Sequence, residues 1–160
     1  MKNVLTKEYA VSAAELWKIF GAYDKWSEWS EVLETSVMDN GVEVGKGATR
    51  TCEKVGGGQS REEITHYDAE KMELSYLILA GLPGFMKRVE NVWVITPIND
   101  TSCRITSNTD ITLAWYMLPL SPLLKLKIKG SLKMFMGFLE NAALNKKPFS
   151  IDNKVAPVVE

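Results

Sequence analysis

PLSPLLKLKIKGSLKMFMGFLENAAL, residues 119–144, is the longest run in the chain with a clear helical period. With Leu124 as reference, Leu124, Ile128, Phe135, Phe138, Leu139 and Ala142 fall on one face at ~100° per residue. Lys125, Lys129, Lys133 and Glu140 take the other face, so the pattern predicts a half-buried helix with a solvated back. Pro122 suits the first turn, where its missing N–H removes no helix bond. Lys146, Lys147 and Pro148 mark the far end: cations complement the C-terminal dipole, and proline cannot continue the helix. Burying six such side chains is worth on the order of 10 kcal/mol. A helix this apolar on one side needs a large apolar partner, and upstream the candidate is a run of strands.

That run has period two. Val4–Ala10, Val32–Met38, Ala48–Lys54, Arg61–Tyr67, Met72–Ala80, Arg88–Thr96 and Ser102–Leu113 alternate enough to be strands. Asn40–Gly41, Gly56–Gly57–Gly58, Asp68–Ala69–Glu70, Gly81–Gly84 and Asn99–Asp100 break them. After the first strand, Ser12 with Glu15 makes a capping box for a helix to about Phe20. A second short helical piece runs from Ala22 to Trp29, with Trp26 and Trp29 one turn apart. Short connections between successive strands imply an antiparallel meander. The fold class is therefore α+β: a curved antiparallel sheet of about seven strands around a long C-terminal helix, with two short helices after strand 1. Residues 1–147 read as one domain and 148–160 as a tail. A sheet curled around a helix leaves space between the layers, and function is expected there.

The totals exclude several classes. At 160 residues the chain suits a single domain, and a net charge of −1 argues against a general nucleic-acid binder. No run reaches the ~18 apolar residues of a membrane span, and Met1–Val11 lacks the apolar block of a signal peptide. The expected location is the cytoplasm. Gly56–Gly58 lacks a following Lys-Ser/Thr and a helix, so it is a turn and not a phosphate cradle. His66, the sole histidine, should share the face of Ile64, and no Ser or Cys elbow accompanies it. Cys52 and Cys103 lie on strands that a meander separates, so neither a disulfide nor a metal site is expected, and no cofactor.

The order of elements carries a further signal in particular residues. These are Ala14–Glu15–Leu16–Trp17, Trp29, Gly45–Lys46–Gly47–Ala48–Thr49–Arg50, Arg61–Glu62–Glu63–Ile64, Ser75–Tyr76–Leu77–Ile78, Leu82–Pro83 and Thr96–Pro97. Together they resemble the START-like helix-grip superfamily, SRPBCC, and within it the bacterial polyketide cyclase/dehydrase and lipid-transport branch. The resemblance spans about Val4–Leu144. It implies an internal cavity for an apolar small molecule. Functions known in the superfamily are lipid carriage, hormone sensing, aromatase/cyclase chemistry and chaperone co-activation. Two positions depart from the pattern: Glu31 stands where many members have proline, and Ser107 where many have tryptophan in the last strand. The smaller Ser107 should widen or reshape the cavity.

Alternation places Glu62 inward with Ile64, and the family pattern places Arg50 inward too. If Gly56–Gly58 form a three-residue loop, Arg50 pairs with Ile64 and is diagonal to Glu62, ~7–8 Å away. Such a pair either anchors a ligand carbonyl or carboxylate or is a structural ion pair. Tyr76, in phase with Met72, Leu74 and Ile78, shares that face, as a ligand-orienting hydroxyl or as plain core. Asn91 and Trp93 follow on the next strand, and Ser107 and Thr109 on the last; Leu124, Ile128 and Phe135 close the space from the helix. Two apolar connections, with Leu82, Pro83, Phe85 and Met86 in one and Trp115 and Met117 in the other, either frame a portal or cap the core. Glycines would let the first of them move.

The leading expectation is a binding protein for a small hydrophobic molecule: a lipid, polyketide-like or aromatic ligand. The alternative is a cyclase/dehydrase in which Arg50 stabilises an enolate and Glu62 or Tyr76 moves protons. A third class is an interaction module on a chaperone or at a membrane surface, touched transiently through the apolar loops and lysines. A monomer or homodimer is expected.

Overall fold

The structure, a computed structural model, describes residues 1–145. Seven strands form one antiparallel sheet: β1 (Lys2–Tyr9), β2 (Leu33–Met38), β3 (Thr49–Lys54), β4 (Gln59–Asp68), β5 (Glu73–Ala80), β6 (Met86–Asn99) and β7 (Ser102–Leu113). β2 to β7 follow as a meander, as their short connections predict. β1 adds itself outside β7, pairing Lys2 with Asp110 and Tyr9 with Cys103. Helix α1 (Ala13–Phe20) and a 3-10 helix, Tyr23–Glu28, join β1 to β2. A 3-10 helix at Trp115–Leu120 leads into α2 (Ser121–Asn145). The architecture is thus α+β, a curved antiparallel sheet wrapped around the C-terminal helix. No helix among the described residues is long and apolar enough to cross a membrane. The expected helix stop at Lys146–Pro148 and the tail from residue 148 lie outside the described residues.

Local chemistry sets the ends of α1. Ser12 is the N-cap read from the sequence: its Oγ accepts from the Glu15 backbone N–H at 3.3 Å, while the Glu15 carboxylate accepts from the Ser12 hydroxyl at 3.1 Å instead of from the Ser12 backbone N–H, so the reciprocal half of the expected capping box is not made. The second half of α2 is the part that packs. Met136 and Leu139 are fully buried, Ala143 nearly so, and Leu132, Phe135, Phe138 and Ala142 rest half-buried against the core. β1 pins this half: the Tyr9 hydroxyl donates to the Met136 carbonyl at 2.8 Å, and Lys7 Nζ to Glu140 at 2.5 Å.

The expected stripe needs correction along its length. Leu124 and Ile128 are only half-buried and lie outside the main core, while Met136, absent from the stripe, is central. Leu123 and Leu126, on the outward side, are 67% and 70% exposed. A helical period fixes the angle around the axis, not how far along it the partner layer reaches. α2 is roughly 37 Å long at 1.5 Å per residue, and β1 holds its later turns. The burial of six side chains is therefore not reached.

Two backbone details set what faces the interior. A bulge between Ile64 and His66 breaks the alternation of β4: Ile64 pairs with Tyr76, but His66 pairs with Ser75. His66 consequently turns outward, 3.3 Å from Glu73, instead of sharing the face of Ile64. Tyr67 takes the inward direction and donates to the Gly21 carbonyl at 3.2 Å. Gly81 has φ +85°, and a Cβ there would lie 2.0 Å from the Gln59 carbonyl oxygen. Only glycine fits this close approach to β4.

Candidate ligand site between sheet and helix

Arg50 and Glu62 both point into the interior, and the guanidinium is 1% exposed. Their register differs from the expected diagonal. Glu53 pairs with Gln59 and the Lys54 N–H donates to the Gly58 carbonyl at 2.9 Å, closing a Lys54–Gly58 turn, so Arg50 stands directly opposite Glu62. The turn starts one residue earlier than expected, which shifts the partner by two residues, preserves the face and shortens the contact. Arg50 Nε and Nη2 donate to Glu62 Oε2 at 3.1 and 2.8 Å. Nη1 donates to the Tyr23 carbonyl and, at 3.2 Å, to Ser36 Oγ. The Tyr23 hydroxyl donates to the same Glu62 oxygen at 2.7 Å. Arg50 Cζ also lies 3.4 Å from the Tyr23 ring centroid and 4.4 Å from that of Trp26. Of the five N–H donors a guanidinium carries, this leaves one on Nη2 uncommitted.

Around the pair stands a wall of rings. Trp26 contacts Phe20, Tyr23, Trp29, Tyr76 and Phe135 at centroid distances of 4.7–5.8 Å. Phe135 brings α2 into the same cluster, 5.0 Å from Trp29 and 5.7 Å from Trp93. The site residues missed in the sequence are Tyr23, Trp26, Ser36 and Phe20. Their signal was present as Tyr23-x-x-Trp26-x-x-Trp29. A 3-10 helix has three residues per turn, so positions i and i+3 eclipse and present aromatic rings on one side.

The sheet brings most of the remaining candidates together. Tyr76 pairs with Asn91, Asn91 with Thr109, and Trp93 with Ser107; all five are buried, and Ile64 completes the row beside Tyr76. Asn91 Oδ1 accepts from Thr109 Oγ1 at 2.7 Å. Asn3, also unforeseen, extends this row opposite Thr109. Leu124 and Ile128 do not join the ring cluster. The two apolar connections meet at one end of the sheet, where the Phe85 carbonyl accepts from the Ala114 N–H at 2.8 Å. Leu82, Phe85, Met86 and Met117 are half-buried there, whereas Pro83 and Trp115 are exposed. Among the described residues, the buried indole N–H groups of Trp29 and Trp93 have no acceptor in good hydrogen-bond geometry. For Trp93 the Tyr76 hydroxyl lies nearby but outside that geometry.

With this geometry in place, the comparison with known proteins is direct. Residues 2–140 match the family described as Polyketide cyclase / dehydrase and lipid transport. The chain belongs to this family. No curated relative matches it. A START superfamily protein from Mycobacterium smegmatis superposes with a TM-score of 0.75 at 16% identity, over 91% of this chain and 99% of that one. The di-domain ARO/CYC BexL from the BE-7585A biosynthetic pathway gives 0.75 at 9% identity, over 92% of this chain and 48% of the other. Norcoclaurine synthase from Thalictrum flavum, in complex with dopamine and hydroxybenzaldehyde, gives 0.69 at 18% identity, over 92% and 89%. At such identities the shared property is the helix-grip fold.

For a polyketide cyclase/dehydrase family member the electrostatics limit the chemistry. Burial tends to lower the Arg50 pKa, but Tyr23 and Glu62 outweigh it, so the guanidinium is held above its ordinary value and stays charged. Burial raises the Tyr23 and Tyr76 phenols, assisted by the Glu62 charge, and neither can serve as a base near neutrality. Tyr9 is raised by burial and then by Glu140. A group whose folded pKa is raised contributes stability that is intact below its unfolded value, about 10 for tyrosine, and lost as pH rises through the folded value. The midpoint of urea unfolding should therefore fall steadily above about pH 10. The three phenols should ionise only as near-UV circular dichroism disappears. Tyrosinate absorbance from every tyrosine at that pH, with the dichroism intact, would contradict the burial assigned to them.

Proposed function

We propose that the protein binds a small, flat, hydrophobic molecule carrying at least one acceptor oxygen, held between the sheet and α2. The observation that carries this reading is the ring wall whose Trp29 N–H has no acceptor among the described residues. An unanswered buried donor costs about 1–3 kcal/mol, and a ligand carbonyl or hydroxyl would relieve it. Arg50 and Glu62 form the floor of this site, Tyr76, Asn91, Ser107 and Thr109 offer polar contacts, and Phe135 covers it. Phe85, Met86, Trp115 and Met117, with Leu82 and Pro83, frame the entrance. The compartment assigned is the cytoplasm, in keeping with two buried free thiols, Cys52 and Cys103.

The cyclase/dehydrase reading has one observation in its favour: Glu62 Oε1 accepts no hydrogen bond among the described residues. Against it, Arg50 has only one N–H to offer an enolate, and the phenols are held protonated. Carriage is therefore favoured over turnover.

Native mass spectrometry of the gently purified chain, with tryptophan-fluorescence titration of a fatty acid, a steroid and an aromatic polyketide mimic, tests the proposal. At least one class should form a saturable one-to-one complex. Asn91→Leu, with its circular dichroism unchanged, should weaken that complex roughly tenfold, as expected for one lost hydrogen bond. A protein that is empty as isolated and indifferent to the whole panel would refute it. Turnover of a poly-β-ketone that Glu62→Gln abolishes would establish the cyclase reading instead.

A further inference from the structure

A water-facing helix ordinarily turns charge outward, and α2 does not. At ~100° per residue, Leu123, Leu126, Gly130 and Met134 fall within an arc of about 80° on the side away from the core. Leu123, Leu126 and Met134 are exposed. Lys127 flanks this outward stripe on one side, and Lys129 and Lys133 flank it on the other. The helix is thus apolar both inward and outward, with lysines along the borders.

The preceding 3-10 helix continues the same surface. Trp115 is 81% exposed, and Tyr116, Leu118 and Leu120 are exposed beside it. The rings of Trp115 and Tyr116 stand edge to face, 6.0 Å apart, and touch no other aromatic among the described residues. Elsewhere among the described residues the exposed large apolar side chains are Leu144, at the far end of α2, and valines, a leucine and an isoleucine on strands and turns. Between Asp110 and Glu140 the chain contains no carboxylate and four lysines, Lys125, Lys127, Lys129 and Lys133. An apolar patch with interfacial aromatics and only positive charge is complementary to an anionic bilayer surface. Lysine stems can lie along acyl chains while their ammonium groups reach the phosphates. A protein partner of ordinary mixed charge would leave the unbroken positive sign without a reason.

We infer that the Trp115–Leu120 turn and the outward face of the first half of α2 form a docking surface for anionic lipid bilayers. Trp115 and Leu118 enter the headgroup boundary, Leu123 and Leu126 lie along it, and the lysines hold it electrostatically. The surface shares Trp115 with the proposed entrance, but docking through Leu118, Leu123, Leu126 and the lysines requires no occupied internal site.

Flotation of the full chain with phosphatidylcholine vesicles, with and without phosphatidylglycerol, tests it. The chain should float with the anionic vesicles at low salt and stay behind with the neutral ones. Each charge neutralisation among Lys127→Gln, Lys129→Gln and Lys133→Gln should weaken partitioning roughly fivefold. Leu123→Asp with Leu126→Asp should abolish flotation while circular dichroism and small-ligand titration stay as in the parent protein. The fluorescence blue shift on binding should vanish in Trp115→Phe, because the other four tryptophans lie away from this surface. Absence of flotation, flotation independent of lipid charge, or flotation untouched by the leucine changes would overturn the inference. So would a vesicle-free dimer that the leucine changes dissolve, since a second copy would then be the occupant.

Discussion

Arg50→Met should destabilise the protein by about 3–5 kcal/mol, the range for removing one partner from a buried ion pair. The substitution leaves the Glu62 carboxylate in an interior where only Tyr23 still donates to it. It also strips donors from the Tyr23 carbonyl and Ser36. Since a domain of this size is stable by roughly 5–15 kcal/mol, the loss is a large fraction of the whole. Arg50→Met combined with Glu62→Gln removes both charges and should recover about half the loss, because the penalty lies mostly in the orphaned carboxylate. Urea unfolding of the parent, both single variants and the double variant closes the cycle. Should Arg50→Met alone fall within about 1 kcal/mol of the parent, the pair does not hold the fold together. The double variant also separates two roles. If it folds and keeps its small-molecule affinity, Arg50 and Glu62 are structural; if it folds and loses affinity, they are ligand anchors.

What the sequence made legible here was facing. Glu62, Tyr76, Asn91, Trp93, Ser107 and Thr109 all point inward because alternation along a paired strand leaves no freedom between bulges. Register and interruptions were not legible. Three consecutive glycines announce a turn without saying which residues leave the ladder; all three adopt positive φ inside the Lys54–Gly58 turn. The bulge that expels His66 has no residue signature of its own. The ring cluster was hidden by the choice of period, since Tyr23, Trp26 and Trp29 coincide at three residues per turn and drift apart at 3.6. In α2 the inward stripe accounts for only one apolar side of the helix. Counting Leu123, Leu126 and Met134 on the outer side shows two stripes, one for the core and one with no partner inside the chain's described residues.

Trp26→Ala tests whether that ring cluster clamps the terminal helix to the sheet. Trp26 is 1% exposed and touches five other rings, and its Nε1 donates to the Phe20 carbonyl at 2.7 Å. Truncation to alanine removes one of the two largest fully buried side chains among the described residues and one face of the Arg50 guanidinium stack, for an expected loss of about 3–5 kcal/mol. Trp26→Phe keeps a ring in place and loses chiefly the hydrogen bond, so it should cost about 1–2 kcal/mol. The two losses should also differ in where they are felt. Phe135 meets the sheet side through Trp26, Trp29 and Trp93, so Trp26→Ala removes one of its three ring contacts. Amide exchange in the second half of α2 should then quicken more than exchange in β6 and β7, whose long hairpin does not depend on that ring. If exchange instead quickens equally throughout, the cluster is a general core element and α2 has no separate motion by which a ligand could enter.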